Sequence, residues 1–558
     1  MRRSLPKKAK SKPGGAPSLR GYLRHKAHAA ALADNCRTLS GALFAGRGAG
    51  EPGGARASLW IAGKARGMGL KAWHGRRSLF QSVALGSATP RGGQVTIQGD
   101  GWQPDPLHDG ELLIRSQQAR VVFDNAPLVF VGYGIVAPQY QWDDYAGLDV
   151  VGKVVVALPN DPGRNSPGGE RFQGERMTYY GRWEYKFEEA ARQGAAGVII
   201  VHTDELFGSA FHLVRDEMRR PFRFLPGAVR SGLEFEGICS ERFGRQLLSR
   251  AGVELDAFLA DPWPMARRVP WLDVRLQLRL GFEIKIGHCR NVLGMHKGAL
   301  FPRQCVLLCA HWDHLGRTPD SSQPRGYYPG AVDNAVGVSV LLELSRRLAN
   351  AGPLRRTVLF AWTTAEEVGM LGSAQVARLI DETGLDVVAA LNVDGFVPIG
   401  RTRDLSLVDG DQSELPSAFM RAGKQLNRQI SLDDAPAAGY FYRSDQASFA
   451  KIDIPAVQVS TGSDLISGGV EEGLKRHDFY DSNLYHSTSD AFDRYWDFTS
   501  LCADIDVLHE TLLLLADSSW RPALRSPAIR TRLQGQADPA DGPRRYPDQG
   551  GRKSSPCS

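Results

Sequence analysis

The stretch CVLLCAHWDH, at residues 305–314, decides the fold of this chain. It opens with a short apolar run, which predicts a buried β-strand, and His311 follows the run directly. Two similar runs, RTVLFAW at 356–362 and DVVAAL at 386–391, each stand just before acidic residues. Residues 334–350 carry apolar side chains on one broad face of a predicted helix. Strands that alternate with helices in this way predict a mixed, largely parallel open α/β sheet flanked by helices.

Residues that can bind a metal ion follow each of these predicted strands, and in open α/β sheets ligands bind outside the carboxyl ends of the strands. Imidazole nitrogen and carboxylate oxygen suit a borderline divalent cation, and such a site needs no cysteine. The pattern predicts a hydrolase with two metal ions and one spare carboxylate that moves a proton. The candidate residues, in chain order, are His311, Asp333, Glu366, Glu367, Asp394 and His486.

Each candidate residue has an expected role in this chemistry. One carboxylate, Asp333, would bridge the two ions, with His311 and Asp394 completing the first shell. Glu367 and His486 would complete the second shell. This division predicts two metal groups that share a single aspartate.

Two acidic residues beside these ligands have predicted supporting roles. Glu366 directly precedes the ligand Glu367 and would stay free, so it is the candidate general base. Asp313 stands two residues after His311 and would orient its imidazole ring.

Each residue taken alone also fits an ordinary structural role. Asp333 precedes a predicted helix and is suitable as its N-cap, and the glutamate pair is suitable for a first helical turn. His477 competes with His486 for the last ligand position. Five suitable ligand residues in the right order, each within a matching local string, favour the metal site. The chain has no His-Glu-x-x-His pattern, which excludes a zinc protease whose ligands lie on a single helix.

The strings around these residues resemble peptidase family M28, the co-catalytic zinc aminopeptidases. The resemblance covers roughly residues 280–520 and rests on HWD at 311–313, GAVDNAVG at 330–337, AEEVGMLGS at 365–373, LNVD at 391–394 and YH at 485–486. It implies a zinc-exopeptidase fold, two Zn²⁺ ions per chain, a peptide substrate and release of N-terminal residues. It also implies that Tyr485 donates a hydrogen bond to the oxyanion and that the Asp333–Asn334 peptide is cis.

Other functions on the same scaffold stay open. A carboxypeptidase, another amide hydrolase or a single-zinc glutaminyl cyclase is an alternative, and a catalytically silent binding protein is a third class. All five predicted ligands are present, which argues against the silent protein. The number of metal ions per chain would separate these possibilities.

A second module is predicted upstream of the catalytic residues. The string KFEEAARQGAAGVII at 186–200 resembles the protease-associated (PA) domain, which is often inserted in M28 peptidases. By resemblance, this smaller α/β domain covers the active-site cleft or shapes substrate access. A structural insertion that does not contact substrate is the alternative.

The chain has 558 residues, enough for two packed domains with tails. The predicted division is a disordered basic tail over 1–30, the first part of the peptidase domain over 31–120, and the PA-like insertion over 121–265. The catalytic domain follows over 266–518, with a second disordered basic tail over 519–558.

Charge and composition limit the partners. The formal net charge is +7, but residues 1–30 hold nine basic and no acidic residues, and residues 519–558 hold eight basic and three acidic residues. The body of the chain is therefore net acidic, so we expect no nucleic-acid partner.

No run of eighteen apolar residues is present, which predicts no membrane-spanning helix. The seven cysteines show no zinc-finger spacing. The resemblance suggests export but the start of the chain shows no clear signal peptide, so localisation and oligomeric state stay open.

Two further segments carry minor predictions. The string GRGAGEPGG at 46–54 contains Pro52 and lacks a following Lys-Ser/Thr pair, so it predicts a plain loop instead of a phosphate cradle. The resemblance assigns this loop to the start of the peptidase domain. Ser444 or Asp445 is expected to cap a short helix. Arg443 is a candidate for binding a substrate carboxylate.

Overall fold

The structure of the chain is a computed structural model. It describes residues 19–525 apart from short gaps at 74–75, 100, 103, 105, 108, 164–170, 208–209, 251, 261–270, 320–324, 409 and 433–438. The predicted tail residues 1–18 and 526–558 lie outside the described residues.

One sheet of 14 strands runs through the molecule, and two short strands pair separately. The order in the large sheet is β15-β14-β16-β13-β11-β12-β10-β3-β6-β7-β9-β2, with β1 paired to β10 and β8 paired to β1. The strands are β1 Phe80–Gln98, β2 Leu112–Arg115, β3 Arg120–Phe130, β4 Val136–Ala137, β5 Trp142–Asp143, β6 Val154–Ala157, β7 Gly197–Val201, β8 Phe222–Phe224, β9 Phe235–Cys239, β10 Trp271–His296, β11 Phe301–His311, β12 Arg356–Thr363, β13 Asp386–Val393, β14 Asp404–Val408, β15 Gln429–Leu432 and β16 Ala456–Thr461.

Helices flank this sheet on both faces. In chain order they are α1 Leu19–Leu39, α2 Pro52–Gly67, α3 Trp183–Arg192, α4 Asp204–Phe207, α5 Phe211–Met218, α6 Glu241–Ser249, α7 Leu255–Ala260, α8 Gly337–Ala349, α9 Leu371–Thr383, α10 Leu415–Leu426, α11 Gln446–Ala450, α12 Gly469–Asn483 and α13 Phe498–Ala516. The predicted fold class, a mixed and largely parallel α/β sheet flanked by helices, is confirmed.

The catalytic half of the sheet is built on four parallel strands. Strands β16, β13, β11 and β12 lie side by side in one direction. Every described residue of β12 is buried, as expected for a strand covered on both faces. The carboxyl ends of these strands therefore meet at one edge, which is where the candidate ligands begin.

Two long strands join this half to a second lobe. Strand β1 pairs antiparallel with β10 from Phe80↔Val292 to Gln98↔Arg275, with an irregularity between Pro90 and Gly93. The second lobe adds the parallel strands β3, β6, β7 and β9, so the sheet continues without a break. Its apolar core includes residues between Ala88 and Phe282, a wider span than the predicted insertion at 121–265.

The prediction of a disordered tail over residues 1–30 is wrong for residues 19–30, which belong to helix α1. Ala29, Leu32, Cys36 and Leu39 of this helix are all buried in the main core. Their spacing of three and four residues places them on one helical face. The alanine-rich stretch in this region is therefore part of an amphipathic helix.

The predicted C-terminal tail also begins with ordered contacts. Arg521 makes two ionic hydrogen bonds of 2.6 Å to Asp386, at the start of β13. The Trp520 carbonyl accepts a hydrogen bond from Arg356 at 2.8 Å. Among the described residues, no helix is both long and apolar enough to cross a membrane.

Candidate metal centre

The predicted ligands assemble at the carboxyl ends of the parallel strands. His311 is the last residue of β11, and its Nε2 lies 3.2 Å from Asp333 Oδ1 and 3.6 Å from Asp394 Oδ1. Asp394 directly follows β13, and Asp333 lies in the turn before α8. These three residues form one group whose ligand atoms are close enough to share a metal ion.

A second group forms on the other side of the same aspartate. His486 Nε2 lies 2.9 Å from Glu367 Oε2 and 3.2 Å from Asp333 Oδ2. Asp333 thus directs one carboxylate oxygen to each group. This is the arrangement that a bridging carboxylate requires.

His314 also belongs to the second group, and the sequence reasoning missed it. Its Nδ1 lies 2.5 Å from Glu367 Oε1 and 3.7 Å from Asp333 Oδ2. The side chain is fully buried, with its ring 5.7 Å from that of His486. The signal was present in the quoted string HWDH, where a second histidine follows His311 by three residues. Sequence reasoning had assigned a role only to the first.

Glu366 lies among these side chains but is in neither group. Its backbone N–H donates to Asp313 Oδ1 at 3.2 Å. Burial raises the pKa of the Glu366 carboxyl well above its usual range, and the carboxylates of Glu367 and Asp394 raise it further. A carboxyl group that lies beside both metal groups and belongs to neither is where a general base would be placed.

The structure changes the contact predicted for Asp313. The backbone carbonyl of Asp313, 3.2 Å from His311 Nδ1, takes the place predicted for the carboxylate. The nearest carboxylate oxygen is 3.9 Å from that nitrogen and instead accepts the hydrogen bond from the Glu366 backbone. Since the chain turns at Asp313, its carbonyl points back to the imidazole while its side chain faces the next loop. Asp313 therefore links the first histidine to the candidate base.

Tyr485 lies at the mouth of the site, 49% exposed. Its ring stacks on His486 at a centroid distance of 3.8 Å. Desolvation raises the pKa of its hydroxyl well above the usual range, and the nearby carboxylates of Asp333 and Glu367 act in the same direction. The hydroxyl therefore stays protonated at neutral pH and can donate a hydrogen bond.

The helix cap predicted at Ser444 or Asp445 is not formed, since neither side chain makes a cap hydrogen bond to α11. Ser444 instead donates from Oγ to Asp394 Oδ2 at 2.6 Å. Asp445 accepts a hydrogen bond of 2.5 Å from Thr363 Oγ1, at the end of β12. Both side chains therefore bond to residues at the strand ends instead of to the helix N–H groups.

The turn that carries Asp333 has the predicted cis peptide between Asp333 and Asn334. Asp490 accepts hydrogen bonds from the backbone N–H groups of Val332 at 3.0 Å and Asp333 at 3.1 Å. Asn334 donates from Nδ2 to the Val393 carbonyl at 2.9 Å. The turn is therefore hydrogen-bonded to the end of strand β13 and to the segment after His486.

The donor set fits a pair of divalent cations. His486 Nε2 is buried and makes no hydrogen bond of acceptable geometry within the described part of the chain, although carboxylate oxygens lie near it. Although burial opposes protonation, Glu367 and Asp333 raise the pKa of His486 to about 11, and Glu366 and Asp394 raise that of His311 well above its usual range. The carboxylates in this cluster thus favour a positive charge among them, and a bound metal ion would supply that charge.

A cavity of about 480 Å³ adjoins the second group and lies between the two lobes. Glu367 and Met370 line it from the catalytic half, and Trp183 and Phe222 line it from the second lobe. Lys451, also in its wall, makes an ion pair of 3.1 Å with Glu188 of the second lobe.

Arg443, the candidate for binding a substrate carboxylate, lies over the Tyr440 ring at 5.2 Å.

Parts of the chain are similar in sequence to known peptidases. Residues 291–508 match the sequence model of peptidase family M28. A probable zinc metalloprotease of Pyrenophora teres f. teres is 35% identical over 116 residues, which cover 21% of this chain and 24% of the relative. A probable leucine aminopeptidase of Arthroderma otae is 29% identical over 168 residues, or 29% of this chain and 44% of the relative. The chain thus spans less than half the length of these curated relatives. The solved structure of an aminopeptidase from Aneurinibacillus sp. strain AM-1 covers 93% of this chain and 98% of its own, at 20% identity and a TM-score of 0.47.

Proposed function

We propose that this chain, whose residues 291–508 form a peptidase family M28 domain, is a zinc exopeptidase with two metal ions that releases N-terminal residues from peptides. One observation carries the proposal. The two oxygens of Asp333 face two separate groups, His311 with Asp394 and Glu367 with His314 and His486, and Glu366 is left over beside them. Two ligand shells with a shared carboxylate and a spare one are what a two-metal hydrolase needs.

The residues around the groups have defined tasks in this reaction. Zinc held by His311 and Asp394 on one side of Asp333, and by Glu367 and His486 on the other, would supply Lewis acidity that polarises the scissile carbonyl. Glu366 accepts the proton of the attacking water and delivers it to the nitrogen of the leaving amine. The Tyr485 hydroxyl donates a hydrogen bond to the oxyanion as the carbonyl becomes tetrahedral. Asp313 holds Glu366 and His311 in position relative to each other. Its carboxylate accepts a hydrogen bond from the Glu366 backbone, and its backbone carbonyl lies beside the His311 imidazole.

The choice of the N-terminal end of the peptide rests on what the chain resembles. The name of the leucine aminopeptidase relative agrees with an aminopeptidase, and so does the resemblance found in the sequence. We therefore favour release of N-terminal residues over carboxypeptidase activity.

The second lobe supports a role in substrate access. It resembles a PA domain in sequence, and its residues Trp183 and Phe222 form one wall of the cavity beside Glu367. A peptide whose first residue is held at the ligand groups would continue along this wall. In this proposal, the lobe contributes to binding of longer peptides and takes no part in the chemistry.

The proposal is tested by metal analysis together with a panel of aminoacyl-p-nitroanilides, each with a free and a blocked N-terminus. We expect two zinc ions per chain and cleavage of the free compounds alone, lost on chelation and restored by zinc. One zinc ion with cyclisation of N-terminal glutamine would indicate a glutaminyl cyclase. Cleavage of peptides from the C-terminus would indicate a carboxypeptidase, and the absence of bound zinc would indicate a silent binding protein.

A further inference from the structure

Arg47 is a fully buried arginine directly beneath the metal centre, in the glycine-rich loop that the sequence predicts to be plain. Its guanidinium donates only to backbone carbonyls, and no carboxylate accepts from it among the described residues. The acceptors are Trp312 O at 2.7 Å, Leu39 O at 2.9 Å, Pro329 O at 2.7 Å, Gly330 O at 2.7 Å and Asp333 O at 3.4 Å. Arginine alone offers five N–H donors in one rigid plane, and here all three of its nitrogens are used.

The five carbonyls belong to three segments that are distant in the chain. Leu39 ends helix α1, Trp312 stands between His311 and Asp313, and residues 329–333 form the turn that carries the bridging aspartate. One guanidinium therefore joins the segment of the first histidine to the segment of Asp333. Those two side chains approach each other to 3.2 Å in the first ligand group.

The backbone around Arg47 is shaped to bring it there. Ala45, Gly46 and Arg47 are consecutive residues in the left-handed region, with φ of 44°, 79° and 51°. A Cβ atom at Gly46 would lie 2.1 Å from the Gly316 carbonyl, so only glycine fits this approach. The Gly316 N–H donates to Gly46 O at 3.0 Å, which holds the loop against the segment after His311. Two non-glycine residues in this unfavourable region indicate that the surrounding contacts enforce the conformation.

We propose that Arg47 is a positioning residue for the metal centre, which fixes the separation of His311 and Asp333 before metal binds. Its positive charge also lies near the carboxylates of Asp333, Asp490 and Asp313, where it offsets part of their repulsion. The inference rests on the proposed function, because it assumes that these residues bind zinc. Lysine is a poor replacement for arginine here, since its ammonium group offers three N–H donors from one atom, whereas the guanidinium reaches five carbonyls from three nitrogens.

The test compares the variants R47K and R47Q with R356K. Arg356 is a matched control, because it is 1% exposed and also donates to carbonyls, Leu515 O at 2.7 Å and Trp520 O at 2.8 Å. Its carbonyls belong to the C-terminal helix and the segment after it, away from the ligands. Zinc affinity is measured by competition with a chromogenic chelator, and folding is measured by circular dichroism and thermal unfolding on the same metal-free samples.

We expect R47K and R47Q to fold and to bind zinc about 10–100-fold more weakly than the wild type, as found when groups that orient metal ligands are removed. R356K should lower the unfolding temperature and leave zinc affinity within about twofold. Zinc affinity in folded R47K and R47Q equal to that of the wild type would overturn the inference. So would loss of folding in both Arg47 variants alongside a folded R356K, because Arg47 would then serve the fold as a whole. Absence of zinc from the wild type would instead overturn the proposed function.

Discussion

Glu366 lies close to His311, Glu367 and Asp394, but its carboxyl group belongs to neither ligand group. We expect Glu366→Gln to keep two zinc ions per chain and to lower kcat by about 10²–10⁴-fold, the usual contribution of a general base. The amide has almost the same shape but cannot take the proton from water. Metal analysis and steady-state kinetics on one preparation measure both effects.

The matched control for this variant is Glu382→Gln. Glu382 is an exposed residue of α9 that pairs with Arg378 at 2.7 Å, so its amide variant should keep full activity. A Glu366→Gln enzyme with a rate within about threefold of the wild type would remove Glu366 from the role of base. Loss of zinc in this variant would instead make Glu366 a ligand.

His314 holds one oxygen of Glu367 while His486 lies near the other. We expect His314→Ala to weaken zinc binding by about tenfold or more, because the Glu367 carboxylate loses its buried partner and its orientation. Titration of metal-free protein with zinc should then show one weakened site. His212→Ala, at an exposed histidine of α5, is the control and should bind zinc as the wild type does. Two unchanged sites in His314→Ala would show that Glu367 does not depend on His314.

At the scale of single residues, the sequence indicated those side chains that stand at the ends of apolar runs or a few residues after them. His311, Glu367 and Asp394 are of this kind, and the structure brings them together. The partners that orient them could not be found in this way. Ser444 reaches Asp394 across 50 residues of chain, and Arg47 reaches Trp312 across 265, through contacts that only folding creates.

At the scale of elements, the buried parallel strands were the easiest to predict, because covering both faces leaves a continuous apolar run. Strands β1 and β10 were not predicted at this length. Along β1 the residues change from mainly buried to a run of exposed ones and back again, so no single period describes the strand. Its pairing with β10 joins segments almost 200 residues apart, and no local pattern reports this contact.

A buried ion cluster joins elements within the second lobe. Glu236 of β9 accepts hydrogen bonds of 2.7 Å from Arg115 of β2 and from Arg230 Nε, and its side chain is 3% exposed. We expect Glu236→Gln to lower the free energy of unfolding by about 3–5 kcal/mol, because two largely buried guanidinium groups lose their buried counter-charge. Urea unfolding at pH 7, followed by circular dichroism, measures the change.

The pH dependence of this cluster gives a second measurement on the same variant. Burial alone would raise the pKa of Glu236, but Arg230 and Arg115 overcome this and lower it below the ordinary value. An acid with a lowered pKa stabilises the fold above its unfolded pKa of about 4.3 and loses this contribution as pH falls through the folded value. The difference between wild type and Glu236→Gln should therefore be full above about pH 5 and shrink in stronger acid.

An exposed pair provides the control for the Glu236 cluster. Glu241 and Arg245 pair at 2.7 Å along α6, with 40% and 39% of their side chains exposed. Glu241→Gln should change the free energy of unfolding by less than about 1 kcal/mol at any pH. A Glu236→Gln protein as stable as the wild type at pH 7, or a difference that grows as the pH falls, would contradict the proposed energetics of the buried cluster.

At the scale of the whole molecule, one sheet unites two lobes that have separate apolar cores. Side chains also connect the lobes, including Arg176 with Asp411 at 2.9 Å and Lys451 with Glu188 at 3.1 Å. The cavity between the lobes begins at Glu367, so a peptide held at the ligand groups would extend between both walls. A substrate with a single residue would reach only the catalytic half.

This arrangement predicts that contacts between the lobes affect long substrates alone. Lys451→Met keeps the apolar stem of the side chain but removes the ion pair with Glu188, and such a partly exposed pair contributes about 0.5–1 kcal/mol. We expect KM for a pentapeptide to rise about two- to fivefold, while kcat/KM for an aminoacyl-p-nitroanilide stays nearly constant. Lys153→Met breaks a comparable pair with Asp149, remote from the cavity, and should change neither value. Equal changes for both substrates in Lys451→Met would mean that the contact acts on the metal centre, and no change in either would mean that the second lobe does not help bind the peptide.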